Sequence, residues 1–172
     1  MSMDWNTYFI TMAHFVAMKS KDQKTKLGCV IVGPDKEIRS TGYNSFPRGI
    51  DDTRPERQER PEKYLWFSHA ERNAIYNAAR MGTALKGCDL YVTGMPCTDC
   101  SIGIIQAGIR KVIIHSFKCD HIPSGKQGAP DQEKTLLLFR EAGVEVEMWQ
   151  GKAAKLKVII NGEDVTNSVA ER

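Results

Sequence analysis

The sequence predicts an α/β protein, a layered sandwich in which helices pack on a mixed sheet of five strands. Three observations carry this. Apolar residues alternate between helical and extended spacing in the order α-β-β-α-β-α-β-α-β. Helices separate the later strands, which requires parallel pairing there. Only a short turn separates the first two strands, so they form an antiparallel hairpin.

Asp4 is placed to cap a first helix, in which Trp5, Tyr8, Phe9, Met12, Phe15 and Val16 recur at helical spacing and are expected to form its buried face. "LGCVIVG" (27–33) reads as a buried strand and "IRSTGYN" (38–44) as its hairpin partner, with "GPDKE" turning between them. Residues 45–66 contain three prolines and no sustained apolar period. Five basic residues face five acidic ones between Arg48 and Lys63. This stretch reads as a surface insertion that interrupts the domain without ending it. A helix then runs from about His69 to Met81 and closes at Gly82. "CDLYVTG" is a strand, and "PCTDCSIGIIQAG" opens a helix with Pro96 near its start and Gly108 at its end. "RKVIIHS" is a strand, "DQEKTLLLFREAG" a helix and "VEVEMW" the last strand of the sheet. One domain over 1–150 is expected. Residues 151–172 are a tail in which an Asn-Gly turn supports a small hairpin and not a second domain.

With 172 residues, 41% hydrophobic and 26% charged, the composition is that of a globular protein. A net charge of +3 is too weak to argue for a polynucleotide partner. No apolar run approaches the length of a membrane span, and the N-terminus has no basic region before an apolar stretch. The five cysteines, an odd number, fit reduced thiols and a cytoplasmic setting better than a disulfide framework.

The chemistry concentrates in "SHAERNAIYNA" (68–78) and "GMPCTDC" (94–100). A catalytic zinc takes three protein ligands and keeps a fourth position open. His69, Cys97 and Cys100 supply that count. Cys-x-x-Cys at a helix start brings two sulfurs to one ion, and the helix N-terminus favours thiolate. On a regular helix two residues turn through about 200°, so His69 and Glu71 converge only if they lie at a helix end. Glu71 is then free to act as proton shuttle, taking a proton from the attacking water and later protonating a leaving amine. The competing reading is a structural zinc site in which Glu71 merely complements the helix dipole.

The ordered set His-x-Glu…Pro-Cys-x-x-Cys is the zinc deaminase signature. Together with "WNTYFITMAHFVAMKSKDQKTKLGCVIV", "TGYNSFPRG" and "LYVTGMPCTDCSIGIIQAGIRKVI", it resembles the cytidine deaminase superfamily and, within it, the deoxycytidylate (dCMP) deaminases, over roughly Trp5 to Trp149. The resemblance implies a three-layer α/β/α sandwich around a five-stranded mixed sheet. It implies conversion of dCMP to dUMP and ammonia, one Zn2+ per chain held by His69, Cys97 and Cys100, and Glu71 as the proton carrier. It also implies a homo-oligomer, with a hexamer favoured, and regulation by dCTP and dTTP, with Mg2+ accompanying a triphosphate effector.

By the same resemblance Asn44 holds sugar or base, and the backbone N–H of Ala70 meets the base carbonyl. Lys24 resembles a basic residue used by relatives, and Phe117 with Lys118 stands where relatives place an aromatic–cation pair. For the lysines the competing role is a solvated surface, and for Phe117 a strand-end core residue. Gly42, Tyr43 and Arg80 are candidate effector contacts, Arg80 being equally a dipole partner at its helix end. Many relatives read Gly-Tyr-Asn-Gly where this chain has Ser45, which bears on effector binding. No second zinc is expected, because 45–66 contains neither Cys nor His. His14 is expected to be a satisfied helix histidine, His115 and His121 surface or structural residues, and Cys29 and Cys88 packing residues. Two readings from other classes stand beside the nucleotide deaminase: a deaminase of transfer RNA or single-stranded DNA, and a non-catalytic zinc-stabilised module. Within the leading reading, free cytosine, cytidine, dCMP and dCTP are all candidate substrates, and the lysines favour a phosphorylated one.

Overall fold

The computed structural model describes residues 2–115, 131–155, 157, 159–161, 163–164 and 166. Its main sheet joins β1 (Gly28–Val32), β2 (Ile38–Tyr43), β3 (Asp89–Val92), β4 (Lys111–His115) and β5 (Glu145–Trp149) in the order β2-β1-β3-β4-β5. β1 runs antiparallel to both β2 and β3, whereas β3–β4 and β4–β5 are parallel. The mixed five-stranded sheet is the one the element order predicts.

Period-two alternation sorts the strand side chains into two cores. Cys29, Ile31, Leu90, Val92, Val112 and Ile114 face α3 (Ala70–Met81), α4 (Thr98–Gln106) and α5 (Gln132–Glu141), with Ala74, Ala78, Ile104 and Phe139 filling the layer. Val30, Val32, Tyr91 and Ile113 face α1 (Trp5–Ala17) on the other side. The result is three layers, as expected.

α1 begins at Asp4, whose carboxylate accepts from the Thr7 N–H at 2.9 Å and the Thr7 hydroxyl at 2.6 Å. Its buried face differs from the one the aromatic spacing suggests. Phe9, Ile10, Ala13 and Ala17 are buried, while Trp5, Tyr8 and Phe15 are 53%, 41% and 71% exposed. The cause lies in β1. A Cβ on Gly28 would stand 2.0 Å from the Ala13 carbonyl oxygen, so the missing side chain lets the Ala13–Ala17 face press onto the strand and turns the large aromatics outward.

The insertion also differs from a plain surface loop. It carries a 3-10 turn at Pro55–Gln58 and a short helix, α2 (Lys63–Trp66). Most of it is exposed, but Phe46 and Lys63 are buried, and Phe46 packs on Phe67 with centroids 4.4 Å apart. In the tail, β6 (Ile159–Ile160) and β7 (Glu163–Asp164) pair antiparallel, with Asn161 at positive φ after β6. The start of the tail is tied back to α1 and β4: the Ala154 N–H donates to the Thr11 hydroxyl at 2.8 Å, and His115 Nε2 lies 3.2 Å from the Gly151 carbonyl. Among the described residues no helix is long and apolar enough to cross a membrane.

Candidate active site

The register places the ends of β2, β3 and β4 and the start of β1 on one edge of the sheet: Gly28 lies opposite Tyr43, Cys29 opposite Val92, and Val92 beside Ile114. Ligands of open α/β sheets bind at the carboxyl edge of their strands. At this edge the chain presents the segments that follow Tyr43 and Val92 and the loop that precedes Gly28. The Thr93 N–H bonds the Gly28 carbonyl at 3.1 Å, and the Gly28 N–H returns to the Thr93 hydroxyl at 3.0 Å.

His69 is the N-cap of α3 and Cys97 the N-cap of α4, both with extended backbone (φ −74°, ψ 161° and φ −78°, ψ 169°). The cap position resolves the rotation problem. His69 stands just outside the helix, so its imidazole and the Glu71 carboxyl are not held 200° apart. Neither residue has the capping hydrogen bond usual at a helix start; the imidazole and the sulfurs meet instead. His69 Nδ1 is 3.3 Å from Cys97 Sγ and 3.5 Å from Cys100 Sγ, and the three donor atoms lie within 4.8 Å of one another. Tetrahedral zinc with ordinary Zn–N and Zn–S bonds sets its nitrogen and sulfur ligands roughly 3.5 Å apart. The donor set therefore fits that ion in both chemistry and spacing.

The electrostatics agree. Cys97 is held well below the ordinary thiol range, chiefly by the hydrogen bond from Cys100, and the Cys100 proton is retained as a consequence. A cation bound by the pair would displace that remaining proton. Glu71 is 3% exposed, and burial pushes its carboxyl above the usual carboxylate range; the His69 charge acts the other way. Second-layer contacts hold the cradle. The Ser101 hydroxyl donates to the Cys97 carbonyl at 3.0 Å, and Thr135 of α5 to the Pro96 carbonyl at 3.3 Å.

The other residues singled out by sequence fall into distinct places. Ala70 is fully buried beside the cradle. Asn44 is buried with its side chain committed: it accepts from the Leu27 N–H at 2.8 Å and donates to the Thr25 carbonyl at 2.8 Å and to Asp22 at 3.1 Å. Lys24 is exposed and paired with Glu59 at 2.9 Å. Gly42 lies beneath α3, where a Cβ would come within 2.3 Å of the Ala70 oxygen and the Ala74 nitrogen, so close helix–strand packing explains it. Tyr43 borders a cavity of about 540 Å³ that Lys19, Lys21, Ser45, Arg48 and Asn73 also line. Arg80 is exposed in the last turn of α3. His14 is satisfied as expected, its Nε2 2.7 Å from His115 Nδ1, and Cys29 and Cys88 are buried. Phe117, Lys118 and His121 lie outside the described residues.

Sequence reading missed Asn73, Asp22 and Lys63. Asn73 Nδ2 donates to the Tyr43 carbonyl, the Ser45 hydroxyl and the Ser68 carbonyl at 2.7, 3.2 and 3.3 Å. The only sequence signal for it was a polar residue one turn into a helix that starts beside β2.

A buried carboxyl beside a His/Cys/Cys cradle, both presented from helix starts at one edge of a mixed sheet, defines the class of zinc-dependent nucleobase deaminases. Comparison with known proteins narrows the class. The chain belongs to the cytidine and deoxycytidylate deaminase family, whose zinc-binding region it matches over residues 3–116. It is 35% identical over 161 residues to the deoxycytidylate deaminase of Homo sapiens, covering 91% of this chain and 85% of the relative. With the deoxycytidylate deaminase of Mus musculus it shares 36% identity over 164 residues, at 91% and 85% coverage. Among solved structures, the dCMP deaminase of cyanophage S-TIM5 in complex with dCMP and dUMP matches with a TM-score of 0.67 at 25% identity, covering 87% of this chain and 99% of that one.

Proposed function

We infer that this chain hydrolyses the amino group of dCMP, giving dUMP and ammonia, with one Zn2+ held by His69, Cys97 and Cys100. The observation that carries the reading is the meeting of those three donors within 4.8 Å beside the buried Glu71, in a chain so similar to deoxycytidylate deaminases. When bound, zinc lowers the pKa of water toward 7, so hydroxide is available at neutral pH. Glu71 carries the proton. It takes one from the attacking water and hands it to the ring nitrogen of cytosine, and as the newly added hydroxyl becomes a carbonyl it takes the hydroxyl proton and delivers it to the departing amine. Its burial suits proton uptake, because a carboxyl raised above its usual range holds a proton more readily. Ala70, with no side chain beyond Cβ, lets its N–H approach the base carbonyl.

Lys24 meets the phosphate after exchanging Glu59 for it, and Phe117 and Lys118 complete the nucleotide site. Asn44 holds sugar or base by exchanging one of its two donated bonds, to Asp22 or to Thr25. Residues 1–150 form the catalytic domain and 151–172 its tail, and the protein works in the cytoplasm. Exposed apolar side chains on the helical layer, among them Tyr76, Met81, Ile102 and Leu137, support a homo-oligomer, with a hexamer favoured. The cavity bordered by Tyr43, Lys19, Lys21 and Arg48 supports a dCTP or dTTP effector accompanied by Mg2+, with Gly42 preceding Tyr43 in the chain and Arg80 in the last turn of α3 as further effector contacts.

Ultraviolet-monitored turnover of cytosine, deoxycytidine, dCMP and dCTP, with and without dCTP and dTTP, tests the reading. dCMP is the expected substrate. Zinc-loaded protein inert toward dCMP but active on single-stranded DNA or transfer RNA would overturn it.

A further inference from the structure

Among the described residues, Lys63 is the one Lys or Arg that is buried, at 6% exposure, although it comes from the charge-rich insertion. Its ammonium pairs with Asp22, whose side chain is 3% exposed. Asp22 is otherwise saturated by the loop that precedes β1. Oδ1 accepts from the N–H groups of Lys24 and Thr25 at 2.9 and 3.0 Å, and Oδ2 from Asn44 at 3.1 Å. The Lys63 ammonium also lies 5.2 Å from the centre of the Phe67 ring, two residues before His69. One buried cation thus touches the Lys24 loop and the approach to α3, and through Asp22 it reaches Asn44 just past β2.

Two further ion pairs join the same insertion to the same loop, Lys24–Glu59 and Lys21–Asp52. Both are largely exposed, and such pairs contribute little, so they do not fix a loop. A buried pair is different in kind. Removing both ions from water is costly, so an apolar pair would serve stability as well. What the ionic pair adds is direction, because Asp22 bonds the backbone on either side of the Lys24 peptide.

We propose that Lys63 is a positioning residue for the substrate phosphate: through Asp22 it sets the loop that presents Lys24 to a nucleoside monophosphate. This rests on the reading of Lys24 as a phosphate ligand. Lys63 itself touches neither base nor zinc ligands, so its loss affects phosphate recognition and not the deamination step.

The test compares Lys63→Met, the charge-neutral double variant Asp22→Asn/Lys63→Met, and Lys24→Ala, each with dCMP and with deoxycytidine. Lys63→Met and the double variant are expected to raise KM for dCMP about tenfold or more, with kcat, zinc content and the KM for deoxycytidine within about twofold of the parent. The double variant leaves no ion unpaired, so it decides the matter if the single variant does not fold. Equal KM changes for the two substrates, or a double variant that binds dCMP like the parent, would overturn the proposal. If Lys24→Ala raises KM selectively for dCMP and the Lys63 variants do not, the positioning role alone falls. If Lys24→Ala shows no selectivity, the phosphate reading falls and the positioning role with it.

Discussion

Ser45 and Ser68 pair backbone to backbone across a single antiparallel bridge, N–H to carbonyl at 3.0 Å in one direction and 2.8 Å in the other. The two ends of the insertion thus meet at its root, one residue past Asn44 and one before His69. Asn73 clamps the bridge from α3 by donating to Tyr43, Ser45 and Ser68. Where many relatives carry glycine, Ser45 adds a hydroxyl to that clamp.

Asn73→Ala should therefore destabilise the protein by about 1–3 kcal/mol, since it removes the amide that donates to the half-buried Tyr43 carbonyl, Ser45 hydroxyl and Ser68 carbonyl. Denaturant unfolding of the zinc-loaded protein checks this. A change below about 0.5 kcal/mol would show that water replaces the amide.

Glu71→Gln should retain zinc yet lose about 10²–10⁴-fold in kcat. In zinc-free protein the same change should raise Tm at neutral pH. Burial lifts the folded-state pKa of Glu71 above its unfolded value of about 4.5, so the folded state binds the extra proton. Stability then falls as pH rises from the unfolded pKa to the folded one. The variant has no such loss. Its advantage should be absent near pH 4, grow with pH, and level off once the folded-state carboxyl has ionised. Calorimetry from pH 4 to 8 measures the difference, and a difference independent of pH would contradict the assignment.

Chelation should abolish turnover and lower Tm, because zinc binds the folded donor set and holds α3 and α4 together at their starts. Free zinc at a hundred times its dissociation constant adds about 2.7 kcal/mol of stability. Restoring zinc should restore both properties, and Cys97→Ala should show neither response. Thermal melts alongside activity follow the two readouts separately.

Glu59→Gln should lower KM for dCMP by about two- to threefold, since the exposed Lys24–Glu59 pair competes with the phosphate. The gain should shrink as salt screens both interactions. Stability should change by less than about 1 kcal/mol. Steady-state kinetics at low and high ionic strength test it, and an unchanged KM at low salt would place the phosphate elsewhere.

The five strands, their intervening helices and the His69, Cys97 and Cys100 cluster that the fold brings together were legible along the chain. These follow from local physics: period-two and helical spacing, proline and glycine at helix ends, and donor types whose chemistry suits one ion. Tertiary structure alone decided which face α1 buries, because the absence of a side chain at Gly28 outweighs the apolar stripe of Trp5, Tyr8 and Phe15. It alone showed that the insertion reaches inward through Lys63, whose charge reads as solvated until Asp22, far away in the chain, is brought against it. Spacing along a chain records what a segment can do locally. Close approach and the pairing of buried charges depend on partners that only folding brings together.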